Sequence, residues 1–465
     1  MKLVYGVKDR PKFGQMLVFA FQQLLAIMAA TITVPMMVGN GMSIPAALLG
    51  AGVGTFVYQL FTKFRSPVFL GSSFAFIGPM AAAFSGASTF GIAETKLGYL
   101  GLVIGAVLAG LVYVVIAIIV KLVGVNWINK LMPASVIGPT VALIGLSLAG
   151  AAINDVFLYA PKETFGVSSY FVMQPNLWAS LICGMVTFVV VIICSVYGKK
   201  MIKLVPFIIG ILAGYAVALI LTIVGINTGN EALKVIDLNI FANLLENGKV
   251  TLNTFVSVPE FTFVEAFKGI KDFQWSYVAT IAVAFIPVAF VVFAEHLADH
   301  KNLSSIIESD LTKDPGLHRT LLGDGVGSIA GAFFGGCPNT TYGESVGCVA
   351  ITGNASVATI TTTAVMAVLI SFLSPFVAFL DSIPGCVMGG VCVTLYGFIA
   401  VSGLKMIQKV DLEDNRNLFT VAVILISGIG GMAMKIGDIY ITNTACALVL
   451  GIITNIILNL KKKDA

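Results

Sequence analysis

Cys337-Pro338-Asn339-Thr340-Thr341-Tyr342-Gly343-Glu344-Ser345-Val346-Gly347 sets one carboxylate inside a stretch punctuated by proline and glycine. Around it the sequence is long, apolar and poor in charge: 58% of the 465 residues are hydrophobic and only 11% are charged. A soluble domain carries about a quarter charged residues. With a mean hydropathy of +0.98 the chain reads as an all-α polytopic membrane protein embedded in a lipid bilayer. An acid at membrane depth costs about 2.5–3.5 kcal/mol by insertion scales, so Glu344 persists there to bind something or to carry a proton. The Pro and Gly beside it break the helix, and broken backbone at that depth is tolerated only where it lines a protein-enclosed cavity. The stretch is therefore a candidate solute site.

Outward from this point, apolar runs of about 20 residues recur along the chain. They lie near 15–37, 44–62, 68–84, 98–120, 134–152, 177–197, 201–224, 277–298, 320–336, 339–353, 355–380, 384–402, 417–434 and 440–460. The expectation is 14 transmembrane segments. The third and the tenth are too short to cross as plain helices, and both are rich in Gly, Ser and Thr. With the N-terminus inside, 20 of the 27 Lys and Arg residues fall on the cytoplasmic side, including Lys2, Lys8, Arg10, Lys200 and Lys461 to Lys463. Positive charge thus places both termini in the cytoplasm of a multi-pass cell-membrane protein. No cleavable signal peptide is visible, because the start carries Lys2, Lys8, Arg10 and Lys12 before a full-length apolar run.

The segment 225–276, read as an extracellular loop, cuts the chain into two sets of seven. Seven is odd, so the second set runs upside down relative to the first, the layout of two inverted seven-segment repeats. The two short members occupy the same place in each set. In the first, Ser66-Pro67-Val68-Phe69-Leu70-Gly71-Ser72-Ser73-Phe74 repeats the logic of Pro338 and Gly343. Each is expected to run extended for a few residues and then turn helical, the two pairing antiparallel and aiming helix N-termini at a ligand.

In the eighth segment, Ala294-Glu295-His296-Leu297-Ala298-Asp299-His300 places Glu295 and Asp299 at i and i+4, on one helix face. Two close carboxylates suit a proton carrier, with Glu295 deep in an apolar run. His300 and Lys301 read as a surface cap. The ninth segment repeats glycine at 323, 327, 331 and 335, a small-residue packing face, and Asp324 reads as a surface partner of Arg319. Gln22 and Gln23 are amides in an apolar run, either partners of a buried acid or glue between helices. The seven cysteines lack metal or redox spacing and read as packing residues, with no metal and no cofactor expected. No catalytic constellation appears, so the chain is not read as an enzyme, and its basic residues cluster at segment ends rather than marking nucleic acid.

Pro338 to Glu344, followed by Gly347, Thr352 and Gly353, resembles the signature of the nucleobase–ascorbate transporter family. Asp314-Pro315-Gly316-Leu317-His318-Arg319 and Leu70 to Phe76 are also similar to this group, and within it to the bacterial uracil-permease branch. The resemblance implies a core domain (1–132 and 277–382) and a gate domain (133–224 and 383–465), with short extended stretches in segments 3 and 10. It implies proton-coupled uptake of uracil by alternating access and a homodimer through the gate domain. Carried over by position, Glu295 and Glu344 bind the pyrimidine, backbone N–H groups of Phe74 and Gly343 meet its carbonyls, and Ala30 and Tyr342 line the pocket. Proton coupling falls to Glu295, Asp299 and Glu344. A xanthine or purine symporter of the same family is the alternative, and an anion exchanger of the related sulfate or bicarbonate type a more distant one. Three positions depart from the pattern of the family or of some of its members: Ser345 stands where Asn is usual, Gln23 where a first-segment His is usual, and Asp299 where some members carry His, with a His shifted to 300.

Overall fold

The computed structural model describes residues 3–89, 95–124, 126–157, 162–165, 168–173, 177–199, 201–245, 248–436 and 439–460. Lys2, Lys200 and Lys461 to Lys463, used above for orientation, lie outside the described residues. Among those described, eight helices are long and apolar enough to cross a membrane. They are Phe13–Val38, Ile44–Phe61, Lys96–Val123, Ala134–Val156, Leu177–Tyr197, Pro206–Thr228, Trp275–Ile307 and Gly385–Ile407. Shorter apolar helices cover Phe74–Ala87, Val357–Ile370, Asn415–Ile429 and Asn443–Asn459. The predominantly helical architecture follows from the apolar runs, since a helix is the one open structure that satisfies its own backbone in lipid.

By internal contacts the chain divides into two units. The first takes in Met1–Ser147, Pro259–Ser371 and Ile399–Ala465; the second, Leu148–Val258 and Phe372–Phe398. In the second unit Leu177–Tyr197 packs on Pro206–Thr228, where a side chain at Gly210 would meet Thr187 O at 3.1 Å. All seven cysteines are free and buried.

The first unit holds the broken segments. The extended stretches are present as strands Leu70–Ser72 and Asn339–Thr341, and they pair antiparallel with Leu70 opposite Thr341, Gly71 opposite Thr340 and Ser72 opposite Asn339. Pro67 and Pro338 bias the preceding residues away from helix, and Thr340 and Thr341 are stiff, β-favouring residues. The ribbon's ends are closed by Tyr342 N–H to Phe69 O (3.2 Å) and Ser73 N–H to Pro338 O (3.0 Å). Side chains finish the accounting: Leu70 N–H donates to Thr55 Oγ1 at 2.9 Å and Phe69 N–H to Ser345 Oγ at 3.0 Å. No ribbon of three residues would survive in lipid without such partners.

Beside the ribbon, helix Leu317–Gly335 crosses helix Ile44–Phe61 with backbones in near contact. A side chain at Gly327 would come within 2.7 Å of Gly54 O, and one at Gly335 within 2.7 Å of Ala47 Cα. The glycine row is thus a packing face, as small residues at four-residue spacing allow. The crossing also seats the ribbon, because Asn339 Nδ2 donates to Gly50 O at 3.0 Å.

Two boundaries differ from the sequence reading. The eleventh run, 355–380, is split into Val357–Ile370 and Ser374–Asp381, because Pro375 starts a new helix and Ser371 ends the old one. The eighth does not stop at 298 but continues to Ile307. Leu303 and Ile307 supply the reason: they pack in a core with Tyr58, Val68, Leu70, Val346 and Val349. Polar residues 299–302 are carried through as helix interior.

Candidate functional site

Helix Trp275–Ile307 has two unlike faces. Glu295, Ala298 and Asp299 are partly or largely open, whereas His296, His300, Leu303 and Ile307 are buried. The i, i+3, i+4 spacing makes each set one stripe. On the open stripe, Thr341 Oγ1 of the second strand donates to Asp299 Oδ2 at 3.0 Å. Glu295, Asp299 and Glu344 lie close enough to one another to interact electrostatically. The structure therefore brings all three carboxylates together.

Glu344 owes its place to the ribbon. Tyr342 is the N-cap of helix Gly343–Thr352, so Glu344 stands in that helix's first turn. A carboxylate there is favoured by the helix dipole, by about 0.3–1 kcal/mol in exposed cases. Gly343 is exposed, and the first atom of a side chain there would lie 3.7 Å from Asp299 Oδ1, with no closer neighbour. Gly347, one turn on, has nothing within 4 Å of that position, and neither does exposed Gly78 on the other short helix. Gly343 and Gly347 keep space open beside Asp299 and Glu344. Phe74 begins the turn Phe74–Phe76 that leads into helix Ile77–Thr89. Because the two strands are antiparallel, the helices that follow them depart in opposite directions and their N-termini converge on the ribbon.

The remaining positions named from the sequence are more enclosed. Tyr342 is buried, its hydroxyl donating to Ser72 O at 2.7 Å and its ring set against Gly71, where a side chain would collide with it. Ala30 is buried on helix Phe13–Val38. Gln23, on the same helix, acts as glue: Nε2 donates to Ser345 Oγ and to Ser345 O. Two of the positions that depart from the family pattern, Gln23 and Ser345, thus touch each other.

Two readings are corrected. Asp324 is not a surface partner of Arg319; it is 1% exposed, and its Oδ2 lies 2.7 Å from His296 Nδ1. His300 is not a surface cap; it is 1% exposed, with its ring stacked on His296 at 3.9 Å. For His300 the cause is the extension of its helix to Ile307; for Asp324 it is the buried His296 on the neighbouring helix. A polar chain then runs through the core: His300 Nδ1 donates to His296 O at 2.8 Å, and Tyr58 OH is 2.7 Å from both His300 Nε2 and Ser66 Oγ. Thr320 Oγ1 donates to Leu317 O and so accepts from His296 Nε2–H at 3.0 Å. The other ring nitrogen and Asp324 Oδ2 then share one proton between them. His296, Asp324, Tyr58 and Thr341 were not named as site residues from sequence. The i, i+4 repeat of histidine one place after Glu295 and Asp299 was the available signal, since it lays out a second polar stripe on the opposite face.

Such a set of paired broken segments, with acids on the open face of an apolar helix bundle, defines a membrane permease. Residues 14–437 match the model described as the Permease family, so the chain belongs to it and, within it, to the nucleobase–ascorbate transporters. It is a transport protein, not an enzyme. Among curated proteins, it is 37% identical to the uracil permease of Bacillus caldolyticus over 98% of this chain and 95% of that one. It is 37% identical to the uracil permease of Bacillus subtilis (strain 168) over 100% of this chain and 97% of that one. For the uracil permease of Escherichia coli (strain K12) the identity is 33%, over 98% and 94%. Among solved structures, the transmembrane domain of the cyanobacterial bicarbonate transporter BicA superposes with a TM-score of 0.59 at 13% identity, over 97% of this chain and 99% of that one. Murine Solute Carrier 26 family member A9 gives 0.61 at 13% identity, over 98% and 69%. At that identity these two share the fold alone.

Proposed function

We propose that this protein takes up uracil across the cytoplasmic membrane, coupled to protons and by alternating access of a fourteen-segment inverted-repeat fold. The observation that carries the reading is the meeting of Glu295, Asp299 and Glu344 at a ribbon whose two helices point their N-termini at it. Uracil has two N–H donors and two carbonyl acceptors. It fits acceptor side chains, Glu295 and Glu344, facing donor backbone at Phe74 and Gly343. The curated relatives over the full chain length are named uracil permeases, which supports the same substrate. Ala30 and Tyr342 are assigned to the pocket wall. Proton coupling is assigned to Glu295, Asp299 and Glu344. The division into core (1–132, 277–382) and gate (133–224, 383–465), a homodimer through the gate, and cytoplasmic termini belong to the same proposal.

An anion exchanger shares the fold, but the two broken segments carry no Lys or Arg, and the site holds two glutamates, Glu344 and, from the neighbouring helix, Glu295. Binding of labelled uracil to purified protein tests the assignment. Glu295→Ala and Glu344→Ala should abolish binding while the protein stays folded. Changing either glutamate to Gln replaces one acceptor by a donor and removes a charge-assisted bond of about 1.5–3 kcal/mol, roughly ten- to a hundredfold in affinity. Near-normal binding by both alanine variants would overturn the site. Competition by xanthine, thymine and 5-substituted uracils separates uracil from a purine substrate.

A further inference from the structure

A groove of about 690 Å³ opens in the first unit between the N-terminal segment and the start of helix Val357–Ile370. Lys8, Asp9 and Arg10 line it together with Phe13, Met16 and Phe64. Lys8 and Arg10 are exposed, and neither makes an ion pair among the described residues. Asp9 is committed to a turn, its Oδ2 accepting from Gly6 N–H at 2.7 Å. The local charge is therefore net positive, and the N-terminal end of the Val357–Ile370 helix adds to it.

The groove continues into a surface built for acyl chains. Phe13, Leu17 and Phe21 recur every fourth residue on helix Phe13–Val38 and are 71%, 37% and 48% exposed, with Val18 beside them at 57%. Large apolar side chains laid out this way on a membrane helix face lipid. A site with two unpaired cations at its rim and a phenylalanine–methionine wall leading to that surface matches a molecule with an anionic head and apolar tails. The volume lies in the range of small-ligand pockets, about 300–1,000 Å³, enough for a headgroup and the first part of its chains.

We propose that this groove binds an anionic phospholipid, its phosphate held by Lys8 and Arg10 and its chains lying along Phe13, Met16 and Phe64. The bound lipid also braces the site helix. The N-terminal segment is stitched to the end of helix Gly343–Thr352 by Val4 N–H to Gly353 O (2.8 Å), Ala355 N–H to Tyr5 O (2.9 Å) and Val357 N–H to Val7 O (3.1 Å). Ser356 Oγ donates to Asp9 O at 2.6 Å, between the two cations in sequence. Holding Lys8 and Arg10 thus holds the strap behind the helix that carries Glu344.

The test is native mass spectrometry of the intact purified protein with phosphatidylglycerol or phosphatidylcholine added at equal concentration. Phosphatidylglycerol should be retained preferentially and raise the unfolding temperature. Each basic residue near an anionic headgroup is worth about fivefold in binding, so Lys8→Gln should weaken retention about fivefold and the pair Lys8→Gln with Arg10→Gln about twenty-five-fold. Lys8→Arg keeps the charge and should retain the lipid, which guards against a fold defect. Exposed Lys409, outside the groove, serves as the control, and Lys409→Gln should change nothing. Equal retention of the two lipids, an equal loss in Lys409→Gln, or complete displacement by millimolar inorganic phosphate would each overturn the proposal.

Discussion

Replacing Ser345 by alanine should destabilise the protein by about 2–4 kcal/mol, of which about 1 kcal/mol is recovered when Gln23 is made apolar as well. Ser345 Oγ accepts two hydrogen bonds in a site closed to solvent, one from Phe69 N–H at 3.0 Å and one from Gln23 Nε2. Alanine orphans both donors, and a buried unsatisfied donor costs about 1–3 kcal/mol. Phe69 N–H has no alternative acceptor nearby in the ribbon register, so its share is full. Gln23 Nε2 keeps a contact to Ser345 O at 3.3 Å, so its share is at the lower end. Gln23→Met loses one hydrogen bond net, about 0.5–1.5 kcal/mol, and leaves Ser345 serving Phe69. The double variant removes the orphaned side-chain amide and leaves only Phe69 N–H without its acceptor, so the cycle should show a coupling of about 1 kcal/mol. Equilibrium unfolding in mixed micelles, followed by helicity, measures all four corners of the cycle. Strict additivity, within about 0.3–0.5 kcal/mol, would refute the contact as the link between the first helix and the ribbon.

Asp299→Asn should shift the pH dependence of uptake while sparing uracil binding measured at one pH, and Asp299→His should give a different profile again; an unchanged pH–uptake curve would remove Asp299 from proton handling. Asp324→Ala strips a buried histidine of its partner and should cost about 3–5 kcal/mol of stability, against less than 1 kcal/mol if the residue were a surface partner of Arg319. Uptake into cells should rise at acidic external pH, collapse with a protonophore and ignore the replacement of sodium, whereas sodium-dependent uptake at fixed pH would reject proton coupling.

Much of the site was legible because membrane physics makes its exceptions conspicuous. Glu344 and Glu295 interrupt apolar runs, and Pro67, Pro338 and Gly343 break helices where lipid punishes broken backbone. The two extended stretches could be placed for the same reason. The glycine row at 323, 327, 331 and 335 announced a close helix crossing, though not that Gly54 and Ala47 lie across it. Two polar positions were misread. His300 looked like a surface cap because hydropathy falls after 298, and Asp324 like a surface partner of Arg319 because it stands near the end of its segment; a hydropathy boundary records composition rather than where packing continues. Leu303 and Ile307, separated by polar neighbours, extend the helix only because Tyr58, Val68 and Val349 wait to receive them.

The amino-acid sequence by itself determined that this chain lives in a bilayer, that two of its segments are broken, and that carboxylates stand beside the breaks. Those properties are local: each follows from the cost of putting a given residue type into hydrocarbon. Only the tertiary structure decided which groups are partners. Gln23 with Ser345, Asp299 with Thr341, Asp324 with His296 and Tyr58 with His300 are separated by between 28 and 322 positions, and no periodicity encodes such pairs. They are set by the backbone approach at the glycine crossing and by the register of a three-residue ribbon, where a shift of one residue would turn every one of its side chains to the other face.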